Sequence, residues 1–162
     1  MAEILEQLQS EGADIAVVGY HSYDDYSNSY GDARIEYYGM VGLPHVNYDG
    51  EQLFDLTYDS MLAEYEEKIA ITTHYTLNID VERDGTTVNV IINTGQIGAP
   101  NPETKVLHLV LTESHIPESW YGGEEVNHVE RLMFPDEHGT SFTNGNSEFE
   151  FDMDPSWIVQ NC

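Results

Sequence analysis

The chain has 162 residues, 40% of them hydrophobic, and its 30 Asp and Glu against 5 Lys and Arg give a formal net charge of −25. That length is enough for one comfortable core or two small ones. A surface this acidic repels phosphate backbones and anionic lipid, which excludes nucleic acid as a partner class and makes cations the natural counter-species.

The one cysteine, Cys162, is the last residue, so no intrachain disulfide is expected and cysteine usage says nothing about compartment. No apolar run approaches the length of a membrane span, so no membrane insertion is expected. Met1 opens into Ala2-Glu3-Ile4-Leu5, without the basic and apolar regions of a signal peptide. The acid excess has two readings, a solvated surface or carboxylate sites for calcium. The first is the simpler, because no dense Asp-x-Asp-x-Asp-Gly loop occurs.

In chain order, Ile4, Leu5 and Leu8 fall at helical spacing, and Glu11-Gly12 ends a short helix. Asp14 to Tyr20 is a continuous apolar run, the pattern of a strand covered on both faces in a parallel sheet. A polar loop follows, then a helix predicted from an Asp32 N-cap through Tyr38, with Gly39 at its C′ position. Gly42-Leu43-Pro44 leads into an alternating strand, Val46-Asn47-Tyr48, closed by the turn Asp49-Gly50. Pro44 cannot donate to a ladder, and Leu43-Pro44 is a candidate cis bond. From Leu56 to Ile69 the residues Tyr58, Met61, Leu62, Tyr65 and Ile69 line one helical face.

Beyond about Ala70 the pattern turns to β. Tyr75, Leu77, Ile79 and Val81 alternate with polar residues, Arg83-Asp84-Gly85 turns the chain, and Val88, Val90 and Ile92 return. Further strands are predicted over Val106–Leu111 and Val126–Phe134, with helix left open for the second. Another carries Phe149, Phe151 and Met153 opposite Glu148, Glu150, Asp152 and Asp154. That acidic row reads as a solvated face that discourages edge pairing. Trp157-Ile158-Val159 begins a last apolar element. Strands at this spacing suggest an immunoglobulin-like β-sandwich.

Four of these pieces, in order, resemble thioredoxin-like envelope and secreted proteins of the outer-membrane-protein-twenty-eight-related family. Ile15-Ala16-Val17-Val18-Gly19-Tyr20-His21 looks like a buried strand of the thioredoxin-like half. Tyr38-Gly39-Met40-Val41-Gly42-Leu43-Pro44 looks like its cis-proline segment. Val126-Asn127-His128-Val129-Glu130-Arg131 looks like a stretch of the following β-domain, and Trp157 to Cys162 like the lead-in to a final strand. The resemblance implies that Ile15–Gly19 and the Pro44 segment are neighbours in one sheet. It also implies an exported parent of which this chain is an internal piece. The Cys-x-x-Cys of thioredoxin-like relatives would then lie before Met1, and no redox role carries over to this chain. Position 45 is His where relatives commonly have Thr, which departs from a substrate-docking loop.

The fold expected is therefore α+β: a partial thioredoxin-like α/β unit over residues 1–69, then an immunoglobulin-like β-sandwich over 70–162 that lacks its last strand. The function expected is that of a non-enzymatic secreted or cell-envelope protein that binds or scaffolds, with a protein or glycan as partner. The alternatives are a fragment of a thiol-disulfide oxidoreductase and a calcium-stabilised adhesion module. No cofactor is expected, apart from calcium on the second reading of the acids.

Candidate sites follow from residue type. Asp24, Asp25 and Asp32 share the tyrosine-rich loop and can hold calcium, although turn chemistry and an N-cap account for them more simply. His115, His128 and His138 can converge on zinc with Glu130 or Glu137, but no His-x-His or His-x₃-His spacing supports it. His21 and His45 stand at strand ends that a parallel sheet can bring together. His108, within an apolar run, reads as a core or cross-strand residue. Trp120 and Tyr121, beside two glycines, can form an aromatic binding platform or tuck onto the core. No Gly-x-Ser-x-Gly elbow and no phosphate loop occurs in the sequence.

Overall fold

Three short helices and four small antiparallel sheets are arranged around two apolar clusters in a computed structural model that describes residues 2–99, 104–119 and 123–157. The mixture of helix and sheet is α+β, as predicted.

The first cluster is built where the helical periodicity puts it. Helix α1 (Ala2–Ser10) buries Leu8, and α3 (Tyr58–Ile69) buries Met61 at 0% exposure. Both pack on Val46 of the hairpin β1 (Val46–Tyr48) and β2 (Glu51–Leu53). The predicted Asp49-Gly50 turn closes that hairpin, with φ of 46° and 88° at the two residues. Positive φ at both central positions makes a type I′ turn, whose twist matches the flanking strands. Thr57 caps α3 by accepting from the Ser60 N–H. Ile69, expected on the packed face, is exposed, because the helix ends as it leaves the cluster.

Helix α2 (Ser29–Tyr37) starts earlier than predicted. Asn28, not Asp32, is its N-cap, and its side chain accepts from the N–H groups of Tyr30 and Gly31. Asp32 sits in the first turn, where a carboxylate favours the positive end of the helix dipole. The predicted stop holds. Gly39 has φ 63°, its N–H donates to Glu36 O, and the Met40 N–H donates to Ile35 O. Those two bonds make a Schellman closure.

The second cluster belongs to the β half. Strands β3 (Tyr75–Asp84) and β4 (Thr87–Gln96), ten residues each, form a hairpin turned by Gly85-Thr86. Strand β9 (Gly145–Asp152) pairs on the other side of β4, giving the order β3-β4-β9. One face of this sheet carries Val88, Val90 and Ile92 of β4 with Phe149 and Phe151 of β9, packed on Leu107 and Leu109. Those leucines come from β5 (Val106–Leu107), paired with β8 (Thr140–Ser141), and β6 (Leu109–Glu113), paired with β7 (Val129–Phe134). Phe134 stacks on Phe151 at 4.7 Å between ring centroids.

Several sequence expectations require correction. The apolar run 14–20 is not a ladder strand. Its one bridge is parallel, Gly19 to Val129, closed by Gly19 N–H to His128 O at 2.7 Å and Glu130 N–H to Gly19 O at 3.0 Å. A glycine suits that place, since a Cβ there would lie 3.1 Å from the His128 carbonyl oxygen. Strand β1 pairs with β2 alone, so residues 15–19 and the segment after Pro44 do not share a sheet. The predicted strand 106–111 is broken at His108, where Gly139 lies against both Leu107 and His108. The predicted strand 126–134 begins at Val129, and Val126 makes only an isolated bridge to Ile116. Among the described residues the largest sheet has three strands. The apolar element predicted from Trp157 onward lies, beyond that residue, outside the described ones.

Candidate functional site

The predicted cis bond is present at Leu43-Pro44, and a second occurs at Phe134-Pro135. Leu43 is exposed and leads into β1, whose only strand neighbour among the described residues is β2. His45 Nδ1 lies 3.4 Å from Gln52 Nε2 across that hairpin. His21 is engaged elsewhere, its Nδ1 2.9 Å from Asp24 Oδ2.

Asp24, Asp25 and Asp32 line one open cavity of about 630 Å³, together with Ser22, Tyr23, Ser27 and Ile35. Asp24 is committed within its own loop. Its carboxylate faces His21 and accepts the Tyr26 N–H at 2.9 Å, while its backbone N–H donates to Ser27 Oγ at 3.0 Å. The loop thus closes as an Asx turn, the simpler of the two readings. Ser27 Oγ in turn donates to Asp24 Oδ1 at 3.4 Å.

The three histidines divide into two places. His115 and His128 are close enough for the first to lower the pKa of the second, an effect smaller than that of burial. Each has positive φ, 60° and 61°. His115 Nδ1 lies 2.7 Å from Glu125 Oε2. His138 belongs instead with His108, whose pKa is lowered by burial first and by Arg34 next. Among the described residues no group of three or more His, Cys, Asp or Glu is placed to hold a metal ion. Trp120 and Tyr121 lie outside the described residues.

The sequence reading missed a polar junction where the Tyr20–Asn28 segment and α2 meet β6 and β7. Arg131 is paired with Glu113, Nη2 to Oε2 at 2.6 Å, and its guanidinium stands 5.0 Å from the Tyr26 ring. The Tyr26 hydroxyl donates to Glu118, and that bond pushes its pKa up to about 12. Glu130 is 2% exposed, and its Oε1 has no hydrogen-bond partner among the described residues. Burial raises its pKa, while Asn28 and Arg131 oppose the rise. The only signal in the sequence was the pattern Val129-Glu130-Arg131, two charges inside an apolar strand.

The largest departure from ordinary packing is on β3. Leu77, Ile79 and Val81 share the face of the sheet that β4 and β9 bury, yet they are 54%, 50% and 60% exposed. Their cross-strand partners on β4 are Thr94, Ile92 and Val90, all buried. The cover supplied by Leu107 and Leu109 extends over β4 and β9 and stops short of β3. The opposite face of β3 carries Asp80, Glu82 and Asp84, all exposed.

Backbone polarity follows from the register. A two-residue turn makes Asp84 and Thr87 a hydrogen-bonded pair, and His74 O accepts from the Ile97 N–H at 2.8 Å. Even-numbered residues of β3 therefore bond to β4. The N–H and C=O groups of Leu77, Ile79 and Val81 point the other way, to a side where β3 has no strand neighbour among the described residues. No family model, curated protein or solved structure matches this chain.

Proposed function

We propose that this chain acts by binding a protein partner, as an interaction or scaffolding module, and that the outer side of β3 is the surface it uses. The observation that carries the reading is the apolar row Leu77, Ile79 and Val81, half exposed beside a buried core of the same sheet. Long apolar edge strands are normally shortened, charged, bulged or covered, and β3 is ten residues long with a regular register. Strand β9, at the other edge, has the same acidic outer face and differs in that its apolar residues are packed on the core. An uncovered row of this kind marks a place where another surface sits. A secreted or envelope setting and an immunoglobulin-like ancestry for the β half belong to the same proposal, supported by the resemblance of the sequence segments quoted above; a thioredoxin-like first half lacks the shared sheet that this resemblance implies.

The test is selection of a displayed random-peptide library on the full chain, with counter-selection on Ile79→Glu. Residue 79 is half exposed, so the charge is tolerated by the fold, which far-UV circular dichroism checks. Peptides enriched on the unmodified chain and lost on Ile79→Glu are the expected result. A library that enriches nothing, or enriches equally on both, removes the reading.

A further inference from the structure

The geometry points to one kind of occupant for this surface: an extended segment of a partner protein that adds to β3 as a fourth strand and alternates apolar with basic side chains. This inference rests on the reading of β3 as the binding surface and specifies the chemistry of the partner. Three features of one strand support it. The outward N–H and C=O groups of Leu77, Ile79 and Val81 offer a hydrogen-bonding row spaced for an added strand. A strand placed there sends alternate side chains to opposite faces. On one face they meet the uncovered apolar row, and on the other they meet Asp80, Glu82 and Asp84.

The charge pattern decides between occupants. A second copy of this chain, joined antiparallel β3 to β3 about Val81, would set Asp80 directly across from Glu82 on both sides of the seam, between two chains each of net charge −25. Like charges directly across a ladder are destabilising. A segment with Lys or Arg at alternate positions replaces that repulsion with cross-strand ion pairs and keeps its apolar residues on the covered side. Charge at this site also favours rapid encounter with a cationic partner and makes the association sensitive to salt.

The experiment uses the full chain and labelled eight-residue peptides, read by fluorescence anisotropy at about 150 mM salt, where the screening length is about 8 Å. The first peptide alternates lysine and valine. The second has the same composition in two blocks, four lysines then four valines. The third is the first with N-methyl groups on alternate amides, which leaves charge intact and blocks strand pairing. The expected result is that the first binds about tenfold more tightly than either control. It should weaken by a similar factor on Ile79→Glu, and severalfold on the combined change D80N, E82Q and D84N. Equal binding of all three peptides would reduce the effect to bulk charge and overturn the inference. So would binding of the first that ignores Ile79→Glu. Sedimentation that finds a dimer of the unmodified chain, dissolved by Ile79→Glu, would overturn it in favour of a second copy. If the first peptide fails while library peptides still bind in an Ile79-dependent way, the inference falls and the binding surface stands. If both fail, both fall.

Discussion

Ile79 and Ile92 are the same residue type, paired directly across β3 and β4, and they differ in one respect: Ile92 is 1% exposed and Ile79 is 50% exposed. Truncating each to alanine gives a matched comparison. In Ile92→Ala three buried carbons are lost, about 2.4 kcal/mol at about 0.8 kcal/mol per methylene-sized group. A cavity of roughly 50 Å³ left among Val90, Leu107 and their neighbours adds about 1.2 kcal/mol at about 24 cal/mol per Å³. The sum, about 3.5 kcal/mol, lies inside the usual range for such a truncation in a core. In Ile79→Ala only about half of that apolar surface is withdrawn from contact and no closed void forms, so the cost is about 1.2 kcal/mol. Loss of β-branching adds less than about 1 kcal/mol to either variant.

The assay is urea unfolding of both variants and the unmodified chain at one protein concentration. With a slope near 2 kcal/mol per molar, the midpoint should fall by about 1.7 M for Ile92→Ala and about 0.6 M for Ile79→Ala. A result in which both variants lose the same stability would refute the reasoning. It would mean that Ile79 is covered in solution as thoroughly as Ile92, and the docking surface would then be an interior.

Two further outcomes test the local physics. Gly39→Ala should lower the melting temperature by about 2–4 °C, the effect of roughly 1 kcal/mol in a chain of this size. A Cβ at Gly39 meets nothing within 4 Å, so the cost is that of its φ of 63° alone. Gly42→Ala, equally open but without the left-handed backbone, should leave the melting temperature unchanged, and equal effects at the two sites would refute the assignment. Glu130→Gln tests the buried carboxyl. Its folded pKa is raised by burial, so the folded protein keeps a proton that the unfolded chain has released. Stability contributed by the protonated group is whole below the ordinary carboxyl range and is lost as pH rises through the elevated folded value. Across that window the stability of Glu130→Gln should gain on that of the unmodified chain, followed by denaturant midpoints against pH. A difference constant with pH would show that Glu130 does not titrate there.

What was legible in the sequence was whatever local chemistry enforces. Asp49-Gly50 requires positive φ and dictates a hairpin; the spacing through Met61 dictates a helix face; Gly39 dictates a helix stop. Where two residues compete for one role, the sequence reading chose wrongly. Asn28 and Asp32 can each cap α2, and Asn28 prevailed because its side chain reaches the N–H groups of Tyr30 and Gly31 while its amide points toward Glu130 O, 3.4 Å away. The run at 14–20 failed for a different reason. An apolar stretch says that contacts will be found and not that they will be ladder bonds; the chain there takes one bridge, at Gly19, while Ile15 packs on the Leu8, Val46 and Met61 cluster. The candidate surface was hidden for a third. Strands β3 and β9 carry the same alternation of apolar and acidic residues, and alternation defines two faces without saying which one another layer will cover. Only the position of Leu107 and Leu109 makes one of them core and the other surface.

The Gly19–Val129 bridge ties residues 110 positions apart and is the ladder contact of the 14–20 segment. During synthesis at about 5–20 residues per second, Gly19 leaves the ribosome roughly 6–22 s before the stretch that pairs with it exists. A contact that closes so long a loop is also slow to find. Ile15 can settle meanwhile on the cluster of Leu8, Val46 and Met61, but the Gly19 end of the segment waits for its partner, so a pause in translation before Val129 would leave the run anchored at one end only.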